Sequence, residues 1–379
     1  KNKNTGEIEF KQIDDISNKD WRPYEGFKAG ERARKEKQQN IVCNYMIYTS
    51  NGWSDIVRVI RHKTIKKMYR ITTHTGMVDV TEDHSLLDEN LNKFKPGDVK
   101  VGMSLCHKYP EFKESKTKLK DIIEFIKDIH NKSLIEKRAF IWGFFYGDGS
   151  CGKYECPSGL KYSWALNQKN YKFCSKLQCL LIDVFDDYFK INNTLKSSGV
   201  YKIVPNCGNI KKYVTLFRDK CYNKDKLKII PTEFLNANYN IRFAYFAGYY
   251  AADGSKCMKQ KGKSIRMDNK GKIGSAQLYY LNKSLGFNVS INTRKDKRNI
   301  IRLTSTTSKQ RKDPKKIKKI EELGLSNNFV YDIETDTGNF NTGFPLIVKN
   351  TDSCFFIFNL KDMEGNKING KKALEITIE

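Results

Sequence analysis

Between Tyr45 and Leu105 the apolar positions come in short runs broken by turn residues, the spacing of a compact all-β module. Tyr45–Tyr48, Ile56–Ile60, Met68–Ile71 and Val78–Val80 read as strands, with turns at Ser50-Asn51-Gly52 and Thr75-Gly76 and further ones at Pro96-Gly97-Asp98 and Val101-Gly102. Ahead of this module, Gly6 to Ile16 alternates apolar and polar residues like a half-buried strand. Residues 18 to 40 are polar and charged and predict a helical or mobile insertion.

The period then changes. Residues 111 to 138 predict one charged amphipathic helix, with Leu119, Ile122, Ile123, Ile126 and Ile129 at helical spacing. It leads into Ile141-Trp142-Gly143-Phe144-Phe145-Tyr146-Gly147-Asp148-Gly149-Ser150, and a second version, Phe246-Ala247-Gly248-Tyr249-Tyr250-Ala251-Ala252-Asp253-Gly254-Ser255, arrives 105 positions later. Gly143/Gly147 and Ala247/Gly248/Ala251 let two such helices pack backbone to backbone. Packed so, they would bring Asp148 and Asp253 together at their C-terminal ends, with the following glycine permitting the turn that frees each aspartate.

After the second copy, Gly274–Gly286 reads as a helix, and Val289–Lys295 and Asn299–Thr304 as strands. Arg311 to Lys319 reads as a basic linker. Short strands return at Asn328–Thr335 and Asn339–Asn350, so the β module resumes after an interruption. Beyond Thr351 the chain changes character, and Asn350-Thr351 reads as a bond meant to be broken.

Charge sharpens this picture. The net charge is +26 and the pI about 9.5, with 13 Lys/Arg between Lys256 and Arg302 against only Asp268 and Asp296. A coding bias toward lysine and asparagine accounts for part of the excess but not for its clustering, which points to a polyanion. Lys270, Lys272, Arg294, Lys295, Lys297, Arg298 and Arg302 lie on or beside strands where charges meet phosphates and polar tips meet base edges, which makes double-stranded DNA the expected partner. Ten scattered cysteines without metal-site spacing are expected to be reduced thiols. With a mean hydropathy of -0.64 and no apolar run of about 18 residues, the protein is expected to be soluble and intracellular, without a membrane partner.

Two carboxylates at paired helix ends suit divalent ions, which prefer oxygen ligands and can activate water beside a phosphate. Asp148 and Asp253 are therefore the candidate metal ligands, for Mg2+. Thr81 and His84 follow a strand and could together polarise a carbonyl, although a helix cap is the commoner reading of such a segment. All five histidines precede residue 131, which limits the chemistry available near Asn350.

These residues carry a resemblance. The chain resembles an intein with an embedded homing endonuclease, inserted in a family B DNA polymerase. The two Asp-Gly-Ser helices are similar to the LAGLIDADG pair, with Trp142 and the aromatic positions as departures. Val80-Thr81-Glu82-Asp83-His84 resembles the block that activates the N-terminal splice junction, and Val330–Glu334 and Val348-Lys349-Asn350 resemble the C-terminal splicing blocks. The resemblance implies that Asp332 assists the junction chemistry, that Asn350 cyclises to a succinimide without a cofactor, and that Thr351 is the downstream nucleophile. Thr351-Asp352-Ser353 is similar to the second half of the polymerase motif Tyr-Gly-Asp-Thr-Asp-Ser. The implied fold class is mixed: an all-β Hint (hedgehog/intein) splicing domain interrupted by an αββαββα LAGLIDADG endonuclease. Its parts are the N-terminal Hint part (1–112), the endonuclease (113–310), the linker and C-terminal splicing strands (311–350), and the C-extein (351–379).

Three departures matter. Lys349 and Gly338 stand where inteins commonly have histidines, and residues 1–16 resemble only the end of an intein's opening block. Either the start of this chain was trimmed, or the opening segment is a separate polypeptide, and the expected partner is then an N-terminal intein fragment, with its N-extein, that carries the missing strand and nucleophile in trans. The alternatives are a splicing element with a decayed endonuclease and a LAGLIDADG maturase that binds RNA.

Overall fold

The computed structural model describes residues 1–25, 37–112, 117–253, 264–294, 300–310, 312–326 and 328–350. Its spine is the twelve-residue strand Gly52–Lys63. This strand pairs antiparallel with Met46–Thr49 through a hairpin at Gly52, with Gln38–Ile41, and with Phe329–Thr335 from the far end of the chain. Lys67–Thr73 likewise pairs with Met77–Thr81 beside it and with Ile317–Leu325. In a four-stranded sheet Ile347–Lys349 lies between Asn339–Asn341 and Leu86–Leu87.

Residues separated by more than 200 positions thus share one apolar interior, in which Val59, Ile71, Val80 and Leu86 meet Ile333, Phe340, Leu346 and Val348. Burying such side chains stabilises by about 1.5–3 kcal/mol each, so the late strands are held as firmly as the early ones. Buried side chains between Thr117 and Thr306, among them Phe140, Trp164, Phe217, Phe246 and Leu281, form a second, larger interior around the two Asp-Gly helices. The two interiors are tied together: Ile291 donates its N–H to the His74 carbonyl at 2.9 Å, and Tyr279 packs edge-on against Phe344. At the same seam the Arg70 guanidinium grips Asp79 through two 2.7 Å bonds, with both side chains buried.

Several expectations change. Gly6–Ile16 is not a strand: it is irregular up to a single helical turn at Ile13–Ile16, where Asp14 and Asp15 pair with Lys224. The 18–40 segment includes the paired strands Arg22–Pro23 and Gln38–Ile41, while residues 26–36 lie outside the described residues. The single helix expected over 111–138 is broken. Leu119–Lys127 ends at Asp128, and Ser133 starts a new helix as its N-cap, with Glu136 completing a capping box. Residues 317–319 belong to a strand rather than a linker, and the Lys318 ammonium bonds the Ile291 carbonyl; burial lowers it to about 8.

Candidate functional site

The helices Leu134–Asp148 and Tyr239–Asp253 cross at their glycines. A Cβ on Gly143 would sit 1.8 Å from the Tyr245 carbonyl oxygen, and one on Gly248 would sit 1.9 Å from that of Phe140. No side chain fits, so the two backbones touch, and the small residues do what their spacing predicts. Beside this seam Tyr146 of the first helix packs against Tyr245 and Tyr249 of the second. Trp142, a departure from the resembled motif, lies fully buried and stacked on Phe217 at 4.2 Å between ring centres.

Both helices end in their aspartates, which are half-buried. A Cβ on Gly147 would lie 2.6 Å from Ala252 Cβ and 3.6 Å from the Asp253 nitrogen, so the helix ends that carry Asp148 and Asp253 abut. Gly149 serves differently than expected. Its backbone is extended (φ -82°), and it is small because a Cβ would strike the Phe145 ring at 2.2 Å. Gly254 lies outside the described residues.

A lysine that sequence reading passes over closes this site. The Lys228 ammonium donates to the carbonyls of Phe145, Tyr146, Gly147 and Gly149 at 2.7–3.2 Å, capping the end of the first helix. Enclosure lowers it to about 8, while Asp253 and Asp148 work in the opposite direction by favouring its charge. Its trace in the sequence is faint: one charged residue between Leu227 and Ile229-Ile230-Pro231. Two carboxylates beside an ammonium suit an oxygen-seeking divalent ion whose remaining ligands come from phosphate and water. Among the described residues no group of three or more His, Cys, Asp or Glu could hold a metal, so an ion here would depend on such outside ligands.

Beyond the second helix, Ser264–Lys270, Ile300–Thr306 and Asn288–Thr293 form one antiparallel sheet in that spatial order. Alternation buries Ile265, Met267, Ile301 and Leu303 and turns Arg266, Asp268, Lys270 and Arg302 outward. Arg302 grips Asp268 through two bonds of 2.6 and 2.7 Å, and Arg294 lies 3.6 Å from the same carboxylate. Lys272 lies not on a strand but at the start of the helix Lys272–Ser284, and its ammonium pairs with Asp79 of the β module at 2.5 Å. Lys295, Lys297 and Arg298 lie outside the described residues.

The β module gathers the other predicted residues. Thr81 ends its strand and donates its hydroxyl to Asp83 at 2.8 Å. His84 is half-buried, and its neighbour Ser85 accepts the Lys349 N–H at 3.1 Å. Asp332 is buried on Phe329–Thr335, where its carboxylate accepts the Ile333 N–H at 2.8 Å. The end of that strand supplies the Thr335 carbonyl to Asn350 Nδ2 at 3.3 Å. The structure thus brings Asn350, the end of the Asp332 strand and the His84 turn to one edge of the module. Thr351 lies outside the described residues.

Comparison with known proteins bears on the second of these two helices and the sheet that follows it. Residues 240–317 match the LAGLIDADG-like domain family, so this part of the chain carries a LAGLIDADG-like domain. The DNA polymerase of Acanthamoeba polyphaga mimivirus is 45% identical over 98% of this chain and 21% of its own length. The DNA polymerase of Thermococcus hydrothermalis is 26% identical over 85% of the chain and 22% of its own length. The chain thus spans about a fifth of each of these relatives. Among solved structures, the homing endonuclease I-DmoI in complex with DNA and Mn is similar at 20% identity and a TM-score of 0.35, over 46% of this chain and 91% of that one. The homing endonuclease I-WcaI bound to its DNA recognition sequence has a TM-score of 0.27 at 18% identity, over 48% and 82%.

Proposed function

We propose that this chain is an intein from a DNA polymerase. Its β module is a Hint splicing domain and the inserted domain a homing endonuclease that cuts double-stranded DNA. The observation that carries the reading is the return of Ile317–Lys349 to sheets begun by Gln38–Phe94, with a glycine-crossed helix pair between them whose second member lies in the LAGLIDADG-like match. An element that must excise itself needs both its ends in one fold, and Asn350 stands at the last strand of that fold.

A further strand, which carries the junction nucleophile, completes the β module. A cleft of about 490 Å³ supports this. It is lined by Ile47, Trp53, Met77, Val78, Tyr331 and Phe340. Met77–Thr81, Phe329–Thr335 and Asn339–Asn341, which border it, are all end strands among the described residues, ready to pair with an added strand. The nucleophile attacks the upstream carbonyl, which Thr81 and His84 polarise once Thr81 gives up its bond to Asp83. The chain passes to Thr351, and Asn350 cyclises to release the intein, with Asp332 assisting at the junction.

In the endonuclease, Asp148 and Asp253 would hold Mg2+, which when bound activates water and steadies the leaving phosphate oxygen. The outward sheet face with Arg266, Lys270 and Arg302 binds the duplex, and Lys228 holds the end of the Asp148 helix in place beside it. The deciding experiment mixes the chain with a peptide carrying the missing strand and follows masses. Ligation with loss of residues 351–379 is expected, and its absence, with Asn350→Ala behaving identically, refutes splicing. Plasmid bearing the uninterrupted polymerase sequence should be linearised by the wild-type protein and not by Asp148→Asn/Asp253→Asn. Splicing without cleavage would leave the inserted domain as a scaffold.

A further inference from the structure

Asn350 is held with unusual completeness for a residue at the end of a strand. It is 7% exposed, its backbone N–H donates to the Gly338 carbonyl at 3.0 Å, and its side-chain amide is engaged at both ends. Nδ2 donates to the Thr335 carbonyl at 3.3 Å, and Oδ1 accepts from Lys349 Nζ at 3.2 Å. The same ammonium donates to the Gly338 carbonyl at 3.1 Å. It reaches this place because residue 338 has no side chain. Gly338 has φ +71°, and a Cβ there would stand 2.9 Å from Lys349 Nζ. The two positions where histidines are common in the resembled family are therefore in contact and work as one device.

We propose that the Lys349 ammonium, seated against the bare Cα of Gly338, is the cation that activates the Asn350 side-chain amide for cyclisation. This rests on the reading of Asn350-Thr351 as the bond cleaved. A neutral carboxamide nitrogen is a poor nucleophile because its lone pair is delocalised into the carbonyl. Removing one Nδ2 proton places negative charge on Oδ1, where an ammonium at hydrogen-bond distance stabilises it. The Thr335 carbonyl, on the other end of the amide, fixes the nitrogen's orientation while this happens. Nδ2 then bonds to the Asn350 carbonyl carbon, and the bond from that carbon to the Thr351 nitrogen breaks. The proton lost from Nδ2 ends on the departing Thr351 amine. No oxidant, reductant or further reactant is required, and the lysine keeps its own proton throughout. A fixed positive charge thereby meets the demand of the step at a place where no histidine stands nearby in sequence.

The test follows release of residues 351–379 by mass spectrometry, using the full chain together with the peptide that carries the opening strand. Lys349→Met should slow release about 10- to 100-fold, the size of one hydrogen bond to a charged group. Lys349→Arg should stay within a few-fold of wild type, and Gly338→Ala should slow release because the new methyl displaces Nζ. Ethylammonium should restore part of the rate to Lys349→Ala, which a lysine with a merely structural role would not show. Thermal unfolding of each variant checks that it is folded. Release from folded Lys349→Met at the wild-type rate, or no rescue of folded Lys349→Ala, overturns this inference alone. No release from the wild-type chain overturns the splicing reading and the inference with it.

Discussion

Lys228 Nζ lies 2.7 Å from the Gly149 carbonyl oxygen and reaches three more carbonyls at the end of the Asp148 helix. A cation there neutralises the negative end of the helix dipole at the point where two carboxylates converge. Burial opposes its charge while both aspartates favour it.

The first prediction concerns that protonation. Burial lowers Lys228 from 10.5 to about 8. Between these values the unfolded chain binds a proton that the folded chain lacks, so its contribution to stability grows as pH rises from about 8 to 10.5 and is lost as pH falls through 8. Urea midpoints of wild type and Lys228→Met at pH 7.5, 9 and 10 should diverge in favour of wild type as pH rises. A constant difference would contradict the lowered value.

Gly143→Ala and Gly248→Ala should each destabilise the protein by about 3 kcal/mol or more, because the new Cβ meets a backbone oxygen that only helix separation can relieve. Gly208, whose Cβ would meet open space, is the control and should change the thermal midpoint little when replaced by alanine.

The outward face of the Ser264–Lys270 sheet should be read through salt. Arg266→Ala and Lys270→Ala should each lower the slope of DNA affinity against salt concentration by about 1. Lys272→Ala should leave that slope unchanged, because its ammonium pairs with Asp79 at the seam between the two interiors. Equal slope changes for Lys270 and Lys272 would place both on the DNA.

At the same seam, Arg70→Met should destabilise, by less than the ~3–5 kcal/mol of a wholly unpaired buried charge, since Asp79 would lose its two-bond partner and keep only Lys272. Chemical denaturation measures it directly. Asp79→Asn/Arg70→Met should recover part of the loss.

Trp53 lines the cleft proposed for the missing strand and packs edge-on against Tyr48. Adding the peptide should shift tryptophan fluorescence, and Trp53→Phe should abolish the shift. An unchanged spectrum on addition of peptide would remove the cleft as the docking place.

Much of the fold was legible in the chain itself. Gly143, Gly147, Ala247 and Gly248 announce a helix crossing by their spacing alone, because close backbone contact has no other solution than small residues. The alternation of Val289, Ile291 and Thr293 with Ser290 and Asn292 needs only the period of a strand to define two faces. Such features depend on neighbours in sequence, and sequence records them.

What tertiary structure decided is which distant groups meet. That Lys272 turns to Asp79 and that Thr81 gives its hydroxyl to Asp83 depend on partners that spacing along the chain does not fix. Lys228 is one charge in an apolar run until the fold carries it to the end of the Asp148 helix. Lys349 and Gly338 read separately as lost histidines, eleven residues apart. Only the pairing of Asn339 with Lys349 sets the ammonium in the space the glycine leaves, against the Asn350 amide.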